Sequence, residues 1–157
     1  MDEKLKNRKN DLVFIIISLI VVFAIHSGLK IILHTDSPLV IVVSGSMEPV
    51  LYRGDVVLLE GVKPEDIKIG DVVVYKRPYT KYPIIHRVRA IKKIVLDGKE
   101  ELCFVTWGDN NPAPDPYPYD GKILPCVPQE AVEAKALLVF PKIGLIPLEI
   151  RERLGLT

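Results

Sequence analysis

Two serines and one histidine are the residues of this chain best suited to nucleophilic chemistry. Ser44 and Ser46 flank a glycine in the segment VSGSMEP, directly after an apolar run and before a proline that forces a bend. A serine hydroxyl is a weak nucleophile and needs an adjacent base. His86 can supply that base, because an unperturbed imidazole titrates at about 6.5. The same residues also fit an ordinary turn serine and a structural histidine in a strand.

A carboxylate is needed to hold such a histidine in the tautomer that a general base requires. Three aspartates are available. Asp109 lies in the segment GDNN, Asp115 lies in the proline-rich stretch that follows, and Asp120 lies in the segment YDG, which is typical of a turn. Their positions in the sequence leave open which of them contacts His86.

Metal chemistry and nucleic-acid binding are disfavoured by the composition. The three histidines and two cysteines show no recognised metal-ligand spacing, so we expect no metal site and no cofactor. The 21 basic and 20 acidic residues give a net charge of +1, so no basic field favours a nucleic-acid partner. Cys103 and Cys126 form a disulfide or remain free, depending on the compartment.

The elements that must position these residues begin with an apolar segment near the amino terminus. Residues 12–25 carry no charge, and Ile31, Ile32 and Leu33 extend the apolar character to about 22 residues, or about 33 Å of helix. A cleavable signal peptide is the alternative, but no pair of small residues of the A-x-A type follows. We therefore expect one uncleaved transmembrane helix over residues 12–34.

Basic residues predict the orientation of this anchor. Four of them precede the span: Lys4, Lys6, Arg8 and Lys9. Because basic residues are enriched on the cytoplasmic side, residues 1–11 are expected to be a cytoplasmic tail, and residues 35–157 an extracytoplasmic domain on a single-pass protein of the cell membrane. His26, Lys30 and His34 recur every four residues, so we expect them on one face of the helix, snorkelling towards headgroups.

The rest of the chain predicts a mainly β domain. Six short runs rich in Val, Ile and Tyr are bounded by Gly, Pro or Asp, as strands are: residues 39–43, 55–59, 71–75, 84–95, 102–106 and 136–140. A helical turn is expected at 64–67 and a short helix at 148–154. Six prolines in residues 111–128 exclude a regular helix or central strand and predict an extended connector.

Five segments in order, SGSMEP, RGD, GDVVVY, HRV and GDNN, resemble the conserved boxes of signal peptidase I. The similarity spans residues 44–115. Bacterial members carry a lysine where this chain has His86, so the chain resembles the archaeal and endoplasmic-reticulum branch. The resemblance implies a signal-peptidase-like β catalytic domain behind one amino-terminal transmembrane helix, with Ser46 as nucleophile and His86 as general base.

The resemblance also implies the supporting residues. Asp115 would orient His86, and Asp109 would support the architecture of the site, although Trp107 and the prolines beside Asp115 depart from the family pattern and keep Asp109 as the alternative. The hydroxyl of Ser44 and the backbone N–H of Ser46 would stabilise the oxyanion.

The activity implied is cleavage of signal peptides from secreted and membrane preproteins, after small residues at −1 and −3 and through an acyl-enzyme. Partners would be preprotein signal peptides and the lipid bilayer, and the sequence leaves open accessory membrane subunits or the secretion translocon. A non-catalytic membrane-anchored β module that scaffolds partner proteins is the alternative from another class. A self-cleaving regulator of the repressor-peptidase fold is less favoured, since such proteins join a DNA-binding region and this chain has an anchor.

Overall fold

One long helix, α1, precedes the β domain and spans Asp2–Ile32. The structure, a computed structural model, describes residues 2–156 except for the side chains of residues 2–7 and 9, so three of the predicted basic side chains (Lys4, Lys6 and Lys9) lie outside the described part. The portion Asn10–Ile32 is apolar and long enough to cross a membrane, and none of it is buried against the rest of the protein.

The carboxyl end of α1 differs from the prediction. The helix ends at Ile32, and His34 adopts a left-handed conformation (φ 50°) in the following turn. His34 therefore does not continue the helical face that carries His26 and Lys30, and the expectation of three aligned residues was wrong. The spacing of these residues could not show where the helix ends, because residues four apart in the sequence share a helical face only while the helix continues.

Nine strands form the domain, which confirms the predicted mainly β class. Their bounds are β1 Leu39–Ile41, β2 Val56–Glu60, β3 Val72–Tyr75, β4 Ile84–Leu96, β5 Lys99–Trp107, β6 Tyr117–Tyr119, β7 Lys122–Leu124, β8 Val127–Pro128 and β9 Val132–Phe140. Seven of them make one curled antiparallel sheet in the order β1-β2-β9-β3-β4-β5-β8, and β6 pairs with β7. A 3₁₀ turn covers Pro64–Asp66, and α2 covers Leu145–Arg153.

The proline-rich segment is more structured than the extended connector that the sequence predicts. Strands β6 and β7 form a hairpin across Asp120 and Gly121, which both have positive φ (43° and 71°), as a tight hairpin turn requires. Strand β8 lies at the edge of the large sheet. The prolines do exclude a central strand, but a two-stranded ribbon and a sheet edge tolerate them, because one side of each strand needs no N–H donor.

Buried apolar side chains lie on both faces of the sheet, because Val73 and Val74, neighbours in β3, belong to different clusters. Register pairs Val73 with His86 and Val88 with Thr106, so alternation turns these side chains, together with Tyr75, towards the same side. Cys103 and Cys126 form a disulfide with a Cα–Cα distance of 5.6 Å, which decides between the two alternatives for these cysteines. The bond links β5 to the residue before β8.

The anchor helix joins the sheet through a short contact. The carbonyl of Leu33 accepts a hydrogen bond of 2.7 Å from the N–H of Gly61, just after β2. A Cβ on Gly61 would lie 1.9 Å from the carbonyl oxygen of His34. The absence of a side chain at this position therefore permits the end of α1 to lie directly against the domain.

Candidate active site

Ser46 lies in a turn shortly after strand β1. The backbone folds back here through hydrogen bonds from the N–H groups of Val50 and Leu51 to the carbonyl of Met47, at 2.9 and 3.0 Å. The side chains of Met47 and Leu51 are buried in the core. Because these two buried side chains fix the turn to the core, the hydroxyl of Ser46 is held at a defined place on the domain.

His86 lies between Ser46 and Asp115. Its Nε2 is 3.0 Å from the hydroxyl of Ser46, and its Nδ1 is 2.7 Å from Oδ2 of Asp115. A carboxylate can only accept, so the proton of a neutral imidazole resides on Nδ1 and leaves Nε2 as the acceptor for the serine hydroxyl. His86 and Asp115 are only 6% and 9% exposed, which shields this chain of hydrogen bonds from water.

Asp115 reaches His86 because the chain returns to β5 after the GDNN segment. Its backbone N–H donates to the carbonyl of Thr106 at 2.8 Å, and the hydroxyl of Thr106 donates to Oδ2 of Asp115 at 2.8 Å. Thr106 thus fixes both the backbone and the carboxylate of Asp115. The sequence analysis missed Thr106, since a threonine in a β-branched run is indistinguishable from an ordinary strand residue.

Asp109 lies elsewhere, in an ion-pair network with two arginines. Arg87 donates to its two oxygens at 2.9 and 2.7 Å, and Arg89 donates at 2.5 Å. The Arg87 hydrogen bonds, more than the positive charges around them, hold the pKa of the Asp109 carboxyl below its usual value. The guanidinium of Arg89 also lies 5.3 Å from the ring centre of Trp107. Asp109 therefore joins β4 to the GDNN segment and does not contact His86.

The GDNN segment packs directly on the serine turn. The N–H of Asn110 donates to the carbonyl of Ser46 at 2.9 Å, and the side-chain amide of Asn110 donates to the carbonyl of Gly45 at 3.1 Å. A Cβ on Gly108 would lie 2.2 Å from the Ser46 carbonyl oxygen and 3.0 Å from Nε2 of His86. Gly108 and Asn110 are thus parts of the site that the sequence marks as a motif but does not explain.

Ser44 also lies next to the hydroxyl of Ser46. Its Oγ is 3.3 Å from Oγ of Ser46. This separation allows the Ser44 hydroxyl to reach an oxygen of a molecule bound at Ser46. Asp120, the third aspartate considered from the sequence, is in the β6–β7 turn and takes no part in this group.

An apolar groove of about 620 Å³ opens beside Ser46 and His86. Its walls come from residues 40–43 in and after β1, from residues 82–85 at the start of β4, and from Pro147 and Leu148 of α2. Strand β1 is an edge strand of the sheet, which leaves one side of its backbone available for pairing. The groove can therefore accept an extended peptide of apolar character.

Comparison with known proteins places this geometry in a family. The chain is 37% identical over 131 residues to a signal peptidase complex catalytic subunit of Komagataella phaffii, covering 83% of this chain and 76% of that protein. The corresponding protein of Schizophyllum commune is 34% identical over 145 residues, with 76% and 75% covered, and a human one is 38% identical over 91 residues, with 58% and 46% covered. No family model matches the chain. The extent of the first two similarities shows that the chain belongs to the family of signal peptidase catalytic subunits, the archaeal and endoplasmic-reticulum branch of signal peptidase I.

Proposed function

We propose that the protein is a membrane-bound serine endopeptidase that removes amino-terminal signal peptides from preproteins. The observation that carries the proposal is the hydrogen-bonded chain from Ser46 through His86 to Asp115, with separations of 3.0 and 2.7 Å, at the wall of an apolar groove. Ser46 is the nucleophile, His86 the general base and Asp115 the residue that orients the base.

Acylation begins when the Oγ of Ser46 attacks the carbonyl carbon of the scissile peptide bond and its proton passes to Nε2 of His86. The imidazolium is stabilised by Asp115 through the proton on Nδ1. Nε2 then returns the proton to the leaving amine, the C–N bond breaks, and the signal peptide stays on Ser46 as an ester. A water molecule, deprotonated by Nε2, hydrolyses the ester and regenerates the hydroxyl.

Negative charge on the carbonyl oxygen during these steps requires hydrogen-bond donors that are already in place. The hydroxyl of Ser44, 3.3 Å from the nucleophilic oxygen, and the backbone N–H of Ser46 are the donors that we assign to it. Removing one such donor typically costs about 2.7–4 kcal/mol of transition-state stabilisation.

The groove supports a particular mode of substrate binding. An extended signal peptide adds a strand beside residues 40–43, so that main-chain hydrogen bonds hold it and alternate side chains enter the groove. Because side chains of a strand alternate, those at −1 and −3 point the same way. The walls nearest Ser46 would then select small residues at both positions.

The proposal includes a defined position of the protein in the membrane. The apolar portion of α1 crosses the bilayer as a signal anchor, with residues 1–11 in the cytoplasm and residues 35–157 outside it. A signal peptide ends its apolar stretch at the same membrane surface, so substrate and enzyme meet there. The relatives are named subunits of a complex, and we propose that accessory membrane subunits or the secretion translocon assist this chain as well.

Cleavage of a preprotein by the full-length protein in detergent tests the assignment. We expect cleavage by the wild type and by Ser37→Ala, an exposed serine outside the site, and loss of cleavage in Ser46→Ala and His86→Ala. Mass spectrometry of the released peptide should show small residues at its −1 and −3 positions. Cleavage that survives both active-site substitutions would show that the chain is not the peptidase proposed.

A further inference from the structure

Arg151 of α2 lines the apolar groove that opens beside Ser46 and His86. The other described residues of its walls are aliphatic residues, prolines, Tyr82, the two serines and His86. A guanidinium stays protonated at every pH at which the protein is folded. Among the described residues that line the groove, Arg151 is thus the one with a permanent charge.

The fold fixes the position of Arg151 relative to the groove. The N–H of Gly144, directly before α2, donates to the carbonyl of Gly54 at 2.8 Å, and Glu152 forms an ion pair with Arg53. Leu148, in the middle of α2, is buried. Because residues 53 and 54 directly precede β2 and its neighbour β1, α2 is attached to the β1 side of the groove.

The side chain of Arg151 reaches the opposite wall. One terminal nitrogen, Nη2, donates to the hydroxyl of Tyr82 at 2.7 Å, and the guanidinium carbon lies 5.4 Å from the centre of the Tyr82 ring. The Nε donates to the carbonyl of Leu156 at 2.9 Å. Neither acceptor carries a charge, so these contacts orient the guanidinium without neutralising it. A guanidinium also has more N–H donors than these two hydrogen bonds use.

The contact with Tyr82 lies at a distance from the catalytic residues. Tyr82 precedes His86 by four residues, which corresponds to about 13 Å of extended chain. On the other wall, Val40 precedes Ser46 by six residues. An extended signal peptide whose scissile bond lies at Ser46 therefore places the residue about five positions before that bond, −5, beside Arg151.

We propose that Arg151 is a specificity-determining residue that selects signal peptides by the charge of the residue at −5. The inference rests on the proposed function and on its mode of substrate binding. An acidic side chain at −5 is attracted to the guanidinium and accepts its N–H groups, whereas a basic one is repelled. A bound apolar peptide displaces water from the groove, which strengthens both effects.

Three peptides that differ only at −5, with Asp, Asn or Lys there, test the inference through kcat/KM. We expect the full-length wild type in detergent to cleave the Asp peptide about fivefold better than the Lys peptide. Arg151→Gln should bring this ratio close to one, Arg151→Glu should reverse it, and Arg151→Lys should keep its direction. The peptides are also made with the three residues at the positions on either side of −5.

Arg153→Gln is the matched control. It removes the same charge from the same helix, at an exposed residue that does not line the groove, and should keep the wild-type ratio. A ratio that is the same in wild type, Arg151→Gln and Arg151→Glu at all three peptide positions would overturn the inference. If the Arg151 variants do not fold, the wild type alone serves, because the ratio should fall towards one in about 0.5 M salt. A ratio that salt leaves unchanged would contradict the role of Arg151.

A binding measurement separates this inference from the proposed function. In the Ser46→Ala background, which needs no turnover, fluorescence anisotropy gives the Kd of each labelled peptide. The Asp peptide should bind more tightly than the Lys peptide, and the additional substitution Arg151→Gln should remove the difference. Equal affinities, together with cleavage that requires Ser46 and His86, would overturn the role of Arg151 and leave the peptidase intact. Cleavage that requires neither residue would instead overturn the proposed function.

Discussion

Asp109 and Asp115 belong to the same stretch of chain but have different partners. Asp115 accepts from His86 and Thr106, whereas Asp109 accepts from Arg87 and Arg89. The partners determine what each carboxylate can do. In the proposed mechanism Asp115 determines the tautomer of His86, whereas Asp109 joins two segments of backbone around the site.

We predict that Asp115→Asn lowers kcat by about 10²–10⁴-fold, because an amide can donate to Nδ1 and so favour the wrong tautomer of His86. Asp109→Asn should lower kcat far less. Steady-state kinetics on a preprotein at neutral pH measure both, and unfolding transitions confirm that each variant is folded. The opposite order of the two effects would transfer the orienting role to Asp109.

Loss of the Asp109 carboxylate should instead lower the stability of the folded protein. The pKa of Asp109 is lower in the folded protein than in the unfolded chain, where it is about 3.9. The carboxylate therefore contributes fully to the free energy of unfolding above about pH 3.9, and this contribution is lost as the pH falls through the lower pKa of the folded protein. We expect Asp109→Asn to reduce the free energy of unfolding by about 2 kcal/mol at neutral pH. The difference from wild type should then shrink on acidification below about pH 3.9.

Urea unfolding of the full chain in detergent, followed by the fluorescence of the single tryptophan, Trp107, measures this difference. Glu100→Gln is the control, because it removes an exposed ion pair with Lys93 and should leave stability unchanged. A difference that stays constant through the acid range would contradict the assigned ion-pair network.

At the residue scale the sequence identifies Ser46 and His86 through their motifs, but it cannot choose between the aspartates. The choice depends on the path of the chain after β5, where the N–H of Asp115 returns to the carbonyl of Thr106. That contact joins residues on either side of two prolines, Pro112 and Pro114, and leaves no periodic signal. The catalytic roles of all three residues stay predictions until the variants are measured.

At the scale of elements, the contact between the GDNN segment and the serine turn places Ser46 beside His86. Both partners are backbone at their closest approach, with the N–H of Asn110 donating to the carbonyl of Ser46. Because backbone cannot move aside as a flexible side chain can, Gly108 has no room for a Cβ. The distance between Ser46 and His86 thus depends on a residue with no functional group.

We predict that Gly108→Ala lowers kcat by about 10²-fold or more while the fold is kept, because a displacement of about 1 Å suffices to misalign reacting groups. Gly28→Ala in α1 is the control, since nothing lies within 4 Å of a Cβ there. Preprotein cleavage and the circular dichroism spectrum are measured for both. Normal activity in Gly108→Ala would mean that the segment adjusts more freely than its contacts indicate.

The strands themselves were largely predictable, since each of the six predicted runs overlaps a strand. Their ends were not. Strand β5 begins at Lys99, three residues before the predicted run, because the long β4–β5 hairpin continues past the core and exposes polar residues such as Glu100. The β6–β7 hairpin was missed because prolines mask the alternation that marks a strand. Hydrogen bonding to a partner strand stabilises these segments, and the residues within one short stretch of sequence do not show which strand that partner is.

At the scale of the whole molecule, the anchor and the domain are joined without a flexible linker. The carbonyl of Leu33 accepts a hydrogen bond from the N–H of Gly61, and strand β1 starts at Leu39. The apolar character of α1 was evident from the sequence. The contact between Gly61 and the residues that follow α1 was not, because no motif marks a glycine that permits close approach.

We predict that inserting about six Gly and Ser residues after Asp36 lowers cleavage of a membrane-inserted preprotein by about tenfold, because the groove loses its fixed position relative to the bilayer. Hydrolysis of a short soluble peptide should be unchanged. Reconstituted vesicles and a peptide assay measure the two activities. The same insertion at the Asp97–Gly98 turn is the control, since that turn lies at the far end of the β4–β5 hairpin. Equal losses in both assays would point to damage within the site.

The contact between Leu33 and Gly61 also means that the groove of the proposed enzyme faces one side of α1 within the plane of the membrane. A domain on a long tether would adopt every orientation around its anchor, whereas the hydrogen bond between Leu33 and Gly61 restricts the orientations that this one can adopt relative to α1. A preprotein that diffuses laterally must then arrive from the sector that the groove faces. The apolar portion of α1 is not buried by the described domain, so neighbouring helices in the membrane have room to pack against it away from the groove.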